Sequence, residues 1–252
     1  MHSGVPSVLA PETPVALVYN GISHAVMMAC PADLEDFAVG FSFSEGLIKA
    51  TTDILSIDTV AHPFGIELHI QVSARCEQAL KRQRRSLAGR TGCGICGTES
   101  LQQLTRSPQP VTRTLTLDFD CIEAAVSGLQ QWREPGEHVS GLHRVAWCEA
   151  SQGDIVWVRQ DVGRHNALDK LGGAMLRSAF PRTNGFLMLS SRASYELIYK
   201  AAALNIELVV AVSAATQLAV AMAQDAGITL IAQARNPQPM VLSFPERLKT
   251  VH

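Results

Sequence analysis

The sequence has no apolar run near the roughly 18 residues that a membrane span needs. Its first residues, Met1–Val8, lack a basic region followed by an apolar core, so they do not read as a secretory signal. Net charge is also nearly absent. Lys and Arg number 21 against 23 Asp and Glu, a balance of −2 that argues against a dedicated nucleic-acid binder. Six cysteines in 252 residues do not make a disulfide framework, and Cys30, Cys76, Cys121 and Cys148 stand singly. No internal repeat or low-complexity run stands out. These absences point to a cytoplasmic protein with neither a membrane nor a nucleic acid as partner.

What is present is core-forming material. Hydrophobic residues make up 47% and charged residues 17%, over a length that suits one large domain or two modest ones. Two apolar runs between Val15 and Ala29 flank Asn20-Gly21, the dipeptide of a tight hairpin turn. Pro31-Ala32-Asp33 starts a helix on which Leu34, Phe37, Ala38 and Phe41 recur at helical spacing, with Gly46 as its stop. Ile54–Val60 and Ile66–Val72 read as strands. The expectation is a small mixed α/β N-terminal domain over residues 1–110, with a linker in the Ser107, Pro108, Pro110 region.

A second domain is expected over residues 111–252. Cys121–Trp132 reads as a helix, and Leu142–Trp147 with Ile155–Val158 as a strand pair around Ser151–Asp154. Helices at Asn166–Arg177, Ser194–Leu204 and Thr216–Ala226 then alternate with strands at Phe186–Leu189, Leu208–Val212 and, last, Ile228–Ala232. Short apolar strands separated by helices imply βαβ units and a mostly parallel sheet. In such a sheet the segments Gln160–His165, Ser190–Arg192, Ser213–Thr216 and Gln233–Gln238 share the carboxyl edge, where open α/β sheets bind ligands. Their hydroxyls, helix N-termini and arginines suit phosphates, whereas Ser213 and Thr216 equally suit helix capping.

The one close cysteine pair lies in Gly92-Cys93-Gly94-Ile95-Cys96-Gly97. Structural zinc needs four ligands, and neither a second such pair nor a nearby His-x₃₋₅-His exists, so no metal ligands are assigned. A thioredoxin-like dithiol opens a helix at its first cysteine, which the flanking glycines disfavour. A persulfide carrier needs an ionised thiol in a cationic setting. Residues 75–90 hold Arg75, Lys81, Arg82, Arg84, Arg85 and Arg90 against the single acid Glu77, and neighbouring cations favour a thiolate. Spacing alone leaves reactive or metal-binding thiols as the reading.

Ordered segments along the chain resemble the formate dehydrogenase accessory sulfurtransferases, the FdhD-type sulfur carriers. They are PVALVYNG at Pro14–Gly21, PADLEDFAVGFSFSEG at Pro31–Gly46, GCGICG at Gly92–Gly97, DVGRHNALDK at Asp161–Lys170, SSR at Ser190–Arg192, GITLI at Gly227–Ile231 and PERL at Pro245–Leu248. The resemblance implies a sulfurtransferase with a persulfide on Cys93 and Cys96 assisting or relaying. It implies a cysteine desulfurase as sulfur donor and a bis-molybdopterin guanine dinucleotide cofactor as acceptor, sulfurated before it enters formate dehydrogenase. It also implies a homodimer and a larger domain of cytidine deaminase-like, three-layer α/β fold. The cofactor-contacting loop of the family matches Gln233, Ala234, Arg235, Asn236, Pro237 and Gln238. Here Gln233 stands in place of an aromatic and Gln238 in place of a basic residue, leaving Arg235 the loop's one cation. Part of the phosphate binding then falls to Arg164 and Arg192. Arg164, His165 and Asn166, which follow a strand and open a helix, are candidates to contact guanine nucleotide or phosphate; equally, Asp161 suits a helix cap and His165 a buried, hydrogen-bonded histidine.

Two other functions compete. Deamination needs His-x-Glu and Pro-Cys-x-x-Cys. His143 is followed by Arg144 and Val145, His165 by Asn166 and Ala167, and Cys93 is preceded by Gly92, so the sequence argues against that chemistry. A chaperone that only binds the cofactor, with a zinc-binding or redox cysteine pair, is the remaining alternative.

Overall fold

A computed structural model describes residues 8–88, 108–132 and 139–249. Strand β1 (Thr13–Tyr19) turns back into β2 (Ile22–Ala29) through Asn20 at φ 47° and Gly21 at φ 77°, the positive-φ pair that a two-residue hairpin requires. The Asn20 side chain then secures the turn: its Oδ1 accepts from Val72 N at 2.7 Å and its Nδ2 donates to Glu77 at 2.9 Å. Helix α1 (Leu34–Ser44) follows, with Gly46 beyond it at φ 71°. Strands β3 (Ile54–His62) and β4 (Gly65–Val72) complete a four-stranded sheet in the order β2-β1-β4-β3, and helix α2 (Ala74–Ala88) follows. One face of this sheet, with Val15, Leu17, Leu68 and Ile70 fully buried, packs on Phe37, Ala38 and Phe41 of α1.

The second sheet begins after helix α3 (Asp120–Gln131). Strands β5 (His143–Glu149) and β6 (Ile155–Asp161) form an antiparallel pair, and helix α4 (Arg164–Arg177) follows. Then come β7 (Gly185–Leu189), α5 (Tyr195–Ala203), β8 (Leu208–Ala211), α6 (Gln217–Ala226), β9 (Thr229–Ala232) and β10 (Met240–Ser243). The sheet order is β10-β9-β8-β7-β5-β6. Side chains alternate between its faces. Val145, Trp147, Leu187, Leu189 and Val209 meet α4, α5 and α6, while Ala146, Cys148, Phe186, Met188 and Val210 meet α3.

The expectation of a mostly parallel sheet is corrected here. Only β7, β8 and β9 run parallel; β5 is antiparallel to both β6 and β7, and β10 is antiparallel to β9. The reason lies in the connections. The tight turn Ser151–Asp154 permits only an antiparallel pair, and no crossover helix separates β9 from β10. Ile228–Ala232 is likewise not the last strand of this sheet, because β10 adds a further edge.

Two close approaches hold the sheets together. A Cβ on Gly40 of α1 would lie 1.7 Å from the Asp169 carbonyl oxygen, and one on Gly173 of α4 would lie 1.8 Å from that of Asp36. Only glycine permits this crossing. Asp36, buried beside it, accepts from Arg159 Nη2 at 2.8 Å and from Arg177 Nη1 at 2.6 Å. The segment before α3 is fastened to the second sheet: Val111 N donates to the Ala226 carbonyl at 2.9 Å, and Glu207 accepts from Thr112, Thr114 and Leu115.

Candidate functional site

Three parallel strands end at one edge, and their following residues converge there. Ser190 leaves β7, Val212 leaves β8, and the turn after β9 carries Arg235. Because β5 runs antiparallel to β7, its beginning lies at the same edge, and Arg144 faces Ser190. Arg144 N donates to Ser190 Oγ at 2.8 Å, and Ser190 N donates to the Arg144 carbonyl at 2.9 Å. With Leu129 and Gln130 of α3, these residues line a cavity of about 510 Å³. That size falls within the range of small-ligand sites.

The turn after β9 is shaped by Gln233, at φ 53°. Gln233 N donates to the Ser213 carbonyl at 2.8 Å and its Oε1 accepts from Asn236 Nδ2 at 3.0 Å. Ala234 is buried, with its N–H on the Ala211 carbonyl at 3.1 Å. Arg235, Asn236, Pro237 and Gln238 are exposed. Gln233 and Ala234 therefore anchor the turn, and Arg235 is its member that reaches the cavity. Thr216 caps α6, accepting from Ala219 N at 3.2 Å.

Arg164 and His165 lie at the same edge but not in the cavity lining. They open α4, on the sheet face opposite α3. Arg164 Nε is buried and has no hydrogen-bond partner among the described residues. Burial, and then the Arg164 charge, hold the His143 imidazole below the ordinary histidine range against the pull of Asp161. His165 is also held down by burial first; Glu196 opposes this and Arg164 reinforces it. His165 Nε2 lies 2.7 Å from Glu196 and 3.3 Å from Ser194 Oγ. Both contacts fall on the same ring nitrogen, so this is not the serine–histidine–carboxylate relay of a hydrolase. Arg192 is exposed and does not line the cavity either.

The rest of the segment Asp161–Lys170 is a buried fastener. Asp161 accepts from Cys30 N at 2.9 Å, Gly163 N at 2.8 Å, Asn166 Nδ2 at 3.0 Å and Lys170 Nζ at 2.7 Å, with the ion pair wholly buried. Asn166 also donates to the Met28 carbonyl at 2.8 Å, and Lys170 to that of Cys30 at 3.0 Å. Asp169 pairs with Lys200 at 3.0 Å and accepts from Ser44 Oγ at 2.7 Å. These bonds fix the turn that presents Arg164 and tie it to the first sheet.

Cys93 and Cys96 lie outside the described residues. Among the described residues no three His, Cys, Asp or Glu side chains converge to hold a metal ion, and no helix is long and apolar enough to cross a membrane. Arg144 was not among the residues singled out by sequence. Its one signal is a charge just before the apolar run Val145–Cys148, which by itself does not show that the strand starts at the ligand edge.

Comparison with known proteins places this geometry in context. A family profile described as the FdhD/NarQ family matches residues 10–249. The sulfur carrier protein FdhD of Cupriavidus necator is 48% identical over 244 residues, covering 97% of this chain and 84% of that protein. The protein of the same name from Variovorax paradoxus is 44% identical over 240 residues, covering 95% and 86%. A crystal structure from Desulfotalea psychrophila, described as a candidate formate dehydrogenase accessory protein, superposes with a TM-score of 0.72 at 23% identity, covering 96% of this chain and 90% of that one. That likeness shows the shared fold.

Proposed function

Since this chain belongs to the FdhD/NarQ family, we propose that it is a sulfur carrier serving formate dehydrogenase, with Cys93 as the atom-bearing group and a bis-molybdopterin guanine dinucleotide cofactor as substrate. The observation that carries this reading is the match over residues 10–249, which spans the Gly92–Gly97 cysteine pair as well as the cavity at the strand edge.

The chemistry follows from thiolate exchange. A cysteine desulfurase offers a persulfide. The Cys93 thiolate attacks its outer sulfur; a sulfur–sulfur bond forms on Cys93, and the donor's own sulfur–sulfur bond breaks to release its thiolate. No net oxidation occurs in this step. Attack by Cys96 on the inner sulfur of Cys93 then expels sulfide toward the cofactor and leaves a Cys93–Cys96 disulfide. A dithiol reductant reopens it. Six cations in residues 75–90, just before the loop, favour the ionised thiols. The cofactor's phosphates suit the strand edge, where Arg144 and Arg235 line the cavity and Arg164 opens α4. A sulfurtransferase of this kind works in the cytoplasm with a desulfurase and formate dehydrogenase as partners, and a homodimer is the assembly we assign to it.

The test separates carrier from chaperone. In a strain lacking the native carrier, Cys93→Ala is expected to abolish formate dehydrogenase activity while the purified variant still binds guanine nucleotide. Full activity with Cys93→Ala would overturn sulfur transfer and favour cofactor chaperoning.

A further inference from the structure

The loop from α4 to β7 precedes one parallel strand, and Asn205 precedes the next. Both therefore lie where the parallel strands begin, opposite the edge that carries Arg144 and Arg235. Helix α4 ends there in a reversal. Ala179 stands at φ 50°, its N–H donates to the Leu176 carbonyl at 3.3 Å, and Phe180 N donates to that of Met175 at 2.9 Å. Glycine is the usual residue at such a left-handed position, so an alanine there is strained. Ser178 Oγ donates to the Ala174 carbonyl at 2.8 Å. The chain itself thus occupies these last carbonyls of the helix.

The next cation along the chain, Arg182, shares a cavity of about 260 Å³ with Thr183 and Asn205. Met175, Leu176, Phe180 and Pro181 form its apolar wall, and the Phe180 ring is braced 5.8 Å from that of Trp157. Arg182 is half-buried, yet among the described residues it has no hydrogen-bond, ion-pair or ring partner. Burial alone acts on its guanidinium and holds its pKa below the ordinary arginine range. Arg159 and Arg177, by contrast, both pair with Asp36. Taking a charge out of water with no counter-charge is unfavourable, and the described fold supplies no compensation for it here. An entering anion would supply it.

The lining also limits which anion fits. It holds one cation, one free-standing hydroxyl at Thr183, and an Asn205 side chain already bonded to Thr112 through both its oxygen and its nitrogen. A guanidinium fork matches the two oxygens of one carboxylate, whereas a phosphate dianion would keep a charge that no second cation meets. The cavity is smaller than those that hold drug-sized ligands, so it suits a compact molecule. We propose that it binds a small organic monocarboxylate, with the Arg182 fork on the carboxylate, the Thr183 hydroxyl donating to the same group, and the wall of Met175 and Phe180 against the ligand's apolar body.

The test is a titration of the isotope-labelled full-length protein with benzoate, followed by nuclear magnetic resonance at the Arg182 side-chain and Thr183 backbone N–H groups. It is repeated with benzamide, the neutral analogue, and with inorganic phosphate. Saturable shifts confined to the cavity lining are expected with benzoate. Benzamide is expected to bind wild type, and benzoate to bind Arg182→Gln, about tenfold or more weaker, in line with loss of a charge-assisted contact. Without ligand, Arg182→Gln is expected to melt at or above the wild-type temperature, because it removes an uncompensated charge. No shifts with benzoate, equal affinity for benzoate and benzamide, or tighter binding of phosphate than of benzoate would each overturn the proposal. So would a clearly lower melting temperature for Arg182→Gln, which would show that the arginine serves the fold. The benzamide comparison needs no variant and decides the matter even if Arg182→Gln does not fold.

Discussion

Glu207 gives the sharpest energetic prediction. Its two carboxylate oxygens collect donors from the segment leading to α3. Thr112 and Thr114 hydroxyls donate to Oε1 at 2.6 and 2.7 Å, and the Thr114 and Leu115 N–H groups donate to Oε2 at 2.8 and 2.9 Å. Arg247 Nε lies 3.5 Å away. Burial by itself would raise the carboxyl's pKa; the bonds from Thr112, Leu115 and Thr114 outweigh it and bring the value from 4.5 down to about 2. A depressed pKa means stability that is complete above the unfolded value and lost as pH falls through the folded one. Converted by linkage, the shift corresponds to about 3 kcal/mol, fading between about pH 5 and about pH 2. Glu207→Gln keeps the shape but turns one acceptor into a donor facing donors. It is expected to cost about 2–3 kcal/mol near neutral pH, with the gap to wild type shrinking by about pH 3. Urea unfolding followed by circular dichroism across that range measures both. A gap that stays constant with pH, or one below about 0.5 kcal/mol at neutral pH, would refute the reasoning.

Two further outcomes follow from the junction of the sheets. Gly173→Ala places a methyl 1.8 Å from the Asp36 carbonyl oxygen, so α1 and α4 must separate; a loss of about 3 kcal/mol or more is expected in the same unfolding assay, and wild-type stability would contradict the close crossing. Lys170→Met removes the cation from a wholly buried pair and leaves Asp161 charged in the interior, which is expected to cost about 3–5 kcal/mol; a loss under about 1 kcal/mol would show that Asp161 does not need it.

Local features carried much of the architecture. Asn20-Gly21 specifies its hairpin because few other pairs accept two positive φ angles. The helices around Phe37, Leu168 and Met222 are legible because their apolar residues recur at the helical period. Strand direction is different. Nothing in the apolar run Val145–Cys148 distinguishes a parallel from an antiparallel neighbour, so the direction of β5 and the addition of β10 emerge only from the fold. The same limit hid Arg144, whose role depends on which end of β5 meets the edge. The segment Asp161–Lys170 shows the converse. Its sequence offers Arg164 and His165 as ligand contacts, while the charges of Asp161 and Lys170 carry no legible partner and prove to be spent on each other and on the Cys30 backbone. A sequence displays charge but not its partner 131 residues away.

The measurement that bears most directly on the sulfur-carrier account is mass spectrometry of the protein after incubation with a cysteine desulfurase and cysteine. The account predicts a gain of about 32 Da, one sulfur atom, on the peptide holding Cys93 and Cys96, absent in Cys93→Ala. A peptide that gains no sulfur while the desulfurase turns over would contradict it.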